Sequence, residues 1–265
     1  MSHKNRIIKK ILKTLLNVCI PLILPVVIIS VWQICSNAQL IDTRLFPSPS
    51  RIWDEFLKMY HNGTLVNHLL VSGNRVVIGF AIGGALGLVV GTLTGLFSWL
   101  NKSLSAIVGA LRPIPMVAWI PLLILWLGID EAPKITVIAV GSFWPILVNT
   151  SQGIKNVDSK YLEVGKILEK NKFQILSKII FPASLPSVFT GIRLGISSAW
   201  NCVVTAEMIA ASAGIGFMIM QGRQYYNVSQ VLVGVAIIGV IGLILDEVLI
   251  FLENIVLRWN TDERN

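Results

Sequence analysis

Charge is scarce in this sequence. Asp, Glu, Lys and Arg supply 14% of the 265 residues, against about 25% in an ordinary soluble chain, too few to clothe a water-facing surface of that size. Cysteine is scarcer still: Cys19, Cys35 and Cys202 lie in apolar stretches without a C-x-x-C pair, which excludes a disulfide scaffold and reads as three small buried hydrophobes. His3, His61 and His68 are scattered with no metal-binding spacing. There is no G-x-x-x-x-G-K-S/T loop to cradle nucleotide phosphates, no H-E-x-x-H and no G-x-S-x-G. Nothing in the chain argues for an enzyme or for a metal or cofactor bound by it.

What abounds is apolar: 54% of residues are hydrophobic and the mean hydropathy is +0.72. A helix needs roughly 20 apolar residues to cross a hydrocarbon core of about 30 Å. Stretches near 15–36, 76–98, 105–128, 134–153, 191–211 and 231–253 meet or approach that length. The expectation is an all-α polytopic membrane protein with about six transmembrane helices. Its parts would be a basic N-terminus 1–14, a first transmembrane helix 15–36 and an external segment 37–75. A core transmembrane domain 76–253 follows, including a loop 154–190, and then a C-terminus 254–265. The first apolar run is longer than a signal-peptide core and reads as an uncleaved anchor. Arg112, Pro113 and Pro115 leave the third span either broken or starting late.

Lys and Arg set the orientation. With the N-terminus inside, the outer segments hold Arg44, Arg51, Lys58, Arg75, Lys134 and Arg223. Arg112 and Arg193 sit in or at spans, and the other fourteen cations lie inside. Both termini are therefore expected in the cytoplasm. The +8 net charge becomes a topology signal in a lipid bilayer and does not indicate nucleic acid. Trp32, Trp99, Trp126 and Trp259 fall near span edges, where an amphipathic ring is favoured, whereas Trp119, Trp144 and Trp200 fall deeper and read as packing residues.

Gly79, Gly83, Gly87, Gly91 and Gly95 recur every fourth residue. Each step advances roughly 40° around a helix, giving a slanting smooth band for close helix packing, within one subunit or between two. Asp246 and Glu247 interrupt the last span; intramembrane acids face protein or a cavity, so Asp246 is a candidate interhelix contact or gating group. Arg112, Pro113, Pro115, Asn149, Asn201 and Glu207 are candidates for a substrate pathway. The prolines can leave carbonyls free to line a cavity, and Arg112 could alternatively reach lipid headgroups. An anionic solute would favour Arg and Asn over Glu207, which is expected nearer the outer mouth.

The loop between spans four and five is the least ordinary segment. Ile175, Leu176, Ile179 and Ile180 follow an amphipathic helical spacing, and Pro182 and Pro186 are expected to stop that helix. It is either a membrane-surface helix or a docking element for a soluble partner.

Glu163-Val164-Gly165-x3-Glu169-x9-Ile179-x-Phe181-Pro182 resembles the E-A-A-x3-G-x9-I-x-L-P loop of bacterial binding-protein-dependent ABC importer permeases. Leu45-Phe46-Pro47-Ser48-Pro49-Ser50, Leu111-Arg112-Pro113-Ile114-Pro115, Ile120-Pro121-Leu122 and Ala206-Glu207-Met208 resemble the nitrate, sulfonate and taurine branch. The resemblance runs from about residue 20 to 259. It implies a type I importer permease fold in the bacterial inner membrane, and import of a small anionic or zwitterionic solute. It further implies a dimer of ATP-binding subunits carrying ATP and Mg, an external solute-binding protein, and a second copy of this permease. In the loop, Glu163 would anchor or orient it, Gly165 would permit close helix approach, Ile179 would pack, and Pro182 would end the element before span five. Glu169 replaces the family's Gly, a residue suited to a left-handed turn; Asn171 could carry that turn, or the two short helices could join more continuously. The alternative is a secondary transporter driven by an ion gradient, which the docking loop and the lack of an obvious inverted repeat disfavour.

Overall fold

The computed structural model describes residues 23–258. The basic N-terminus, the start of the first span, Trp259 and the end of the C-terminal segment lie outside the described residues. Within them no strand occurs. Helix α1 covers Ile23–Asn37, α2 Pro49–His61, α3 Thr64–Leu96, α4 Ser98–Leu111, α5 Met116–Leu127 and α6 Glu131–Lys155. Then come α7 Ser159–Ile167, α8 Lys172–Ile175, a π-helical turn Leu176–Ile180, α9 Phe181–Ala210, α10 Ile215–Gln224 and α11 Val228–Val256. Among the described residues, four helices are long and apolar enough to cross a membrane, five if α4 and α5 count as one broken span.

The segment 37–75, expected as external, holds α2 and the first turns of α3. The helix starts at Thr64 and its 33 residues span roughly 50 Å, more than the bilayer core. Its early polar residues look external in an apolarity scan, yet Ser72 is fully buried and Arg75 is 4% exposed. The third span is broken: α4 and α5 meet at 96° across 112–115, where Pro113 and Pro115 supply no backbone donors. Pro182 and Pro186 do not stop a helix. The helical run is continuous from Lys172 to Ala210, because a π turn precedes Pro182 and moves the hydrogen-bond register, with Phe181 N–H reaching Leu176 O. Pro182 then falls in the first turn of α9, where a missing N–H leaves little unsatisfied.

Helix α6 stands in the middle, with α3 on one side and α9 on the other. The glycine band of α3 faces α6 of the same chain. A Cβ at Gly79 would stand 2.6 Å from Ile138, one at Gly87 3.0 Å from Cβ of Ile146, one at Gly91 2.8 Å from Leu147 O and one at Gly95 2.8 Å from Ile154. At Gly83 it would collide with the backbone oxygen of Ala139. On the other flank, Gly191 and Gly195 of α9 receive Asn149 and Ile146. Backbones thus approach through small residues, as helix association in lipid requires. Proline adds an interhelical bond. Pro145 inside α6 cannot donate to Gly141 O, and Ser198 of α9 donates its hydroxyl to that carbonyl at 2.8 Å.

Replacing Gly83 by Leu is expected to lower the thermal unfolding midpoint of the detergent-purified chain, by about 1–3 kcal/mol of overpacking. Gly73→Ala on the same helix, where a Cβ would meet nothing within 4 Å, should leave the midpoint unchanged or raise it. Equal effects of the two would contradict the packing described.

Candidate functional site

At the end of the molecule away from α7 and α8, an ionic network, buried at Ser72, Arg75, Lys134 and Glu207 and exposed at Glu131, ties four helices together. Arg75 of α3 donates Nε and Nη2 to the two oxygens of Glu131, each at 2.6 Å. Its Nη1 donates to Glu207 at 2.8 Å and to Ala213 O at 2.6 Å. Glu207, 1% exposed, also accepts from the Ser72 hydroxyl at 2.7 Å and from Gly216 N–H at 3.0 Å. Lys134 donates to Glu131 at 3.2 Å. Two cations and two carboxylates balance, and each buried oxygen has partners, the condition under which buried ion pairs are tolerated.

This network also caps α10. The first N–H groups of a helix lack intrahelical acceptors. Here His68 Nδ1 accepts from Gly214 at 3.1 Å, the Ser72 hydroxyl from Ile215 at 2.9 Å, and Glu207 from Gly216. A carboxylate at this position also complements the helix dipole. Gly214 has φ +119°, and any Cβ there would enter the Glu207 carboxylate. Glu207, considered above for the solute pathway, therefore lies sealed inside a structural network.

A cavity of about 400 Å³ opens where α4 breaks into α5, against the middle of α6 and α9. It brings together Arg112, Pro113, Pro115 and Asn149, but neither Asn201 nor Glu207. Asn201 is exposed on α9 and donates to Ser197 O. The Asn149 amide donates to Pro145 O at 2.8 Å. The Arg112 side chain makes no hydrogen bond or ion pair with described residues, and Trp144, which lines the same cavity, has a buried indole N–H without a partner. Arg112 is exposed, so its guanidinium is free to meet a guest that brings oxygens, whereas the Trp144 indole N–H is buried out of reach of one. Asp246 of α11 accepts a bidentate pair from Arg193 of α9, at 2.5 and 2.9 Å.

At the opposite end, α7 and α8 form a compact corner on the ends of α6 and α9. A Cβ at Gly165 would stand 2.7 Å from Cδ1 of Ile179 and 3.3 Å from Ile175, so α7 crosses the π turn at close range. Glu163 points to solvent with no side-chain partner among the described residues. The turn after α7 is carried by Glu169, with φ +49°, and not by Asn171, which is extended (φ −69°, ψ 163°) and caps α8 through a reciprocal pair with Gln174. Lys170 N–H donates to Gly165 O at 3.0 Å. That six-to-one bond puts Glu169 at the left-handed position of a Schellman cap, which is usually glycine. The two helices are therefore separated by a strained residue and do not join. Tyr161, Val164, Ile167, Leu168 and Phe173 are exposed around this corner.

Arg75, Ser72, His68, Glu131 and Lys134 were not singled out from sequence. A signal existed: 68, 72 and 75 continue the face of 79 and 83 toward the start of α3, so the glycine band points Arg75 inward. Its partner on α6 has no such periodic marker.

Residues 83–259 match the family model described as "Binding-protein-dependent transport system inner membrane component". The chain is similar to a Bacillus subtilis permease named for aliphatic sulfonate transport, with 39% identity over 90% of this chain and 86% of the relative. A nitrate import permease protein of Synechocystis is 32% identical over 89% and 88% of the two chains. A taurine transport system permease protein of Escherichia coli is 31% identical over 83% and 82%. In fold it is similar to the inward-facing MetNI methionine ABC transporter, with TM-score 0.59, 20% identity, and coverage of 74% of this chain and 95% of that one. An amino acid ABC transporter gives TM-score 0.63 at 14% identity over 75% and 97%.

Removing one partner of a buried pair strands the other charge. Arg75→Ala is expected to destabilise the purified chain by about 3–5 kcal/mol, and Glu207→Gln, which keeps an acceptor for Gly216, by distinctly less; thermal unfolding in detergent measures both, and the reverse order would contradict the network. At Glu169 the left-handed backbone costs roughly 1 kcal/mol, so thermal stability should run Gly at least equal to Glu, and both above Val. A destabilised Glu169→Gly variant would show instead that the carboxylate makes a necessary contact.

Proposed function

The chain belongs to the binding-protein-dependent transport inner membrane component family, and from that premise we propose that it is the membrane-spanning subunit of an ATP-binding-cassette importer, carrying a small anionic or zwitterionic solute of the sulfonate, taurine or nitrate kind into the cytoplasm. The observation that carries this reading is the corner made by α7 and α8. It sets Tyr161, Val164, Ile167, Leu168 and Phe173 in the open, on a segment that also holds Lys160, Lys170, Lys172 and Lys178. Such charge keeps the corner out of lipid, and clustered exposed apolar side chains call for a protein partner. The partner proposed is a dimer of ATP-binding subunits. ATP and Mg bind there, since this chain has no phosphate-binding loop.

The same lysines support a cytoplasmic position for the corner by the positive-inside rule, and with it both termini on that side of a bacterial inner membrane. The network of Arg75 and Glu207 then lies at the external end. There the capped start of α10 offers an ordered surface to a solute-binding protein, and a second copy of this chain completes the pathway. The anionic character of the solute is supported by the cavity at the α4–α5 break, with its exposed, unpaired Arg112 and no acidic residue in its lining.

Co-expressed with its ATP-binding subunit, the wild-type chain should retain that subunit through detergent purification. Ile167→Asp and Phe173→Asp should lose it while keeping the thermal midpoint. Solute uptake into vesicles containing this chain alone, driven by an ion gradient, would overturn the reading.

A further inference from the structure

Three side chains accept the open N–H groups at the start of α10, and they differ in what a proton does to them. The Ser72 hydroxyl, which accepts from Ile215 N–H, keeps its charge at any ordinary pH. Glu207 brings two oxygens, engaged by Ser72, Arg75 and Gly216. His68 has a single nitrogen in play. Its Nδ1 accepts from Gly214 N–H at 3.1 Å, so the neutral ring carries its proton on Nε2. A second proton takes the Nδ1 lone pair and leaves one donor facing another. Turning the ring over presents Cδ2 to Gly214, not the other nitrogen, and Phe217 of α10 lies against the ring with centroids 6.1 Å apart.

The charges around the ring give a second proton no compensation. Arg75 on the same helix, Glu131 and Lys134 on α6 and Glu207 on α9 pair among themselves, two cations against two carboxylates. On α2, Glu55 binds Asn227 and Lys58, while Arg51, Asp54 and His61 are exposed. Helix α10 carries Arg223 in its last turn, far from His68. No carboxylate pairs with the imidazole among the described residues. A protonated His68 is therefore a third cation beside a balanced group, set at the end of α10 where the helix dipole disfavours positive charge. The ring is half-buried just over one turn from the start of α3, so it stays open to protons from that end of the molecule.

We propose that His68 is a proton-operated latch on α10. Neutral, it caps the helix; protonated at Nδ1, it releases Gly214 N–H and frays the first turn, so the cap is complete at neutral pH and is lost as the pH falls. The latch stands on the contacts of this chain alone, and only its facing the outside of the membrane, where it would withdraw the ordered α10 surface in an acidified medium, rests on the permease reading above.

Amide hydrogen exchange of the full-length chain in detergent tests this, read by mass spectrometry on peptides covering Gly214–Gly216 and corrected for the intrinsic exchange rate at each pH. Protection there should fall about tenfold, the scale of one lost cap, between about pH 8 and about pH 5, the range over which an imidazole titrates. The middle of α6 should keep its protection throughout. His68→Asn places an amide oxygen where Nδ1 stood and does not titrate, so it should hold full protection across the range. His68→Leu offers no acceptor and should show the weakened protection at every pH, whereas His61→Asn should follow the wild type. Wild-type protection that ignores pH, a loss that persists in His68→Asn and so belongs to Glu207, or a His68→Leu variant as protected as the wild type at about pH 8 would overturn the proposal. The ATP-binding subunit takes no part in the measurement, so the latch and the permease reading fail separately.

Discussion

The packing of the three central helices turns on Ile146, a large apolar side chain held between glycines of two neighbouring helices. It is fully buried, with Gly87 of α3 beneath it and Gly195 of α9 above it. In lipid there is no hydrophobic gain from bringing apolar helices together, so close van der Waals contact between backbones must supply the attraction. Glycine on two neighbours around an Ile on the third achieves that contact. The α3–α6–α9 frame follows from it, and both ends of the molecule are mounted on this frame.

The second constraint is that a bilayer offers backbone groups no water. At several departures from helical regularity the missing partner is supplied locally or by a neighbouring helix. Ser198 occupies the carbonyl freed by Pro145. His68, Ser72 and Glu207 occupy the open N–H groups of α10, and a π turn absorbs the approach to Pro182. Arg112, exposed where α4 breaks into α5, has no partner among the described residues and lies apart from the satisfied network.

Much of this was legible in the residues. The apolar runs, the fourfold glycine spacing and the loop motif announced an all-α membrane protein and its family, because each expresses a local period that sequence displays directly. What escaped reading depends on partners distant in the chain. Arg75 looks like an outer-loop cation until Glu131 and Glu207 are brought against it. The start of α3 is obscured by polar residues that turn inward. At Glu169 the sequence showed a departure from glycine without showing that the backbone keeps glycine's conformation regardless; the six-to-one bond from Lys170 fixes it. Proline misled in the loop because its effect depends on the hydrogen-bond register that precedes it.

The central claim, that Ile146 seated between glycines carries the frame, is tested most directly by a double-mutant cycle in the purified chain. Gly195→Ala and Ile146→Ala are measured singly and together by thermal unfolding in detergent. The account predicts strong non-additivity, with a coupling of about 1–2 kcal/mol, since removing the Ile146 side chain vacates the space that a Cβ at 195 would invade. Additive effects of the two substitutions would contradict it.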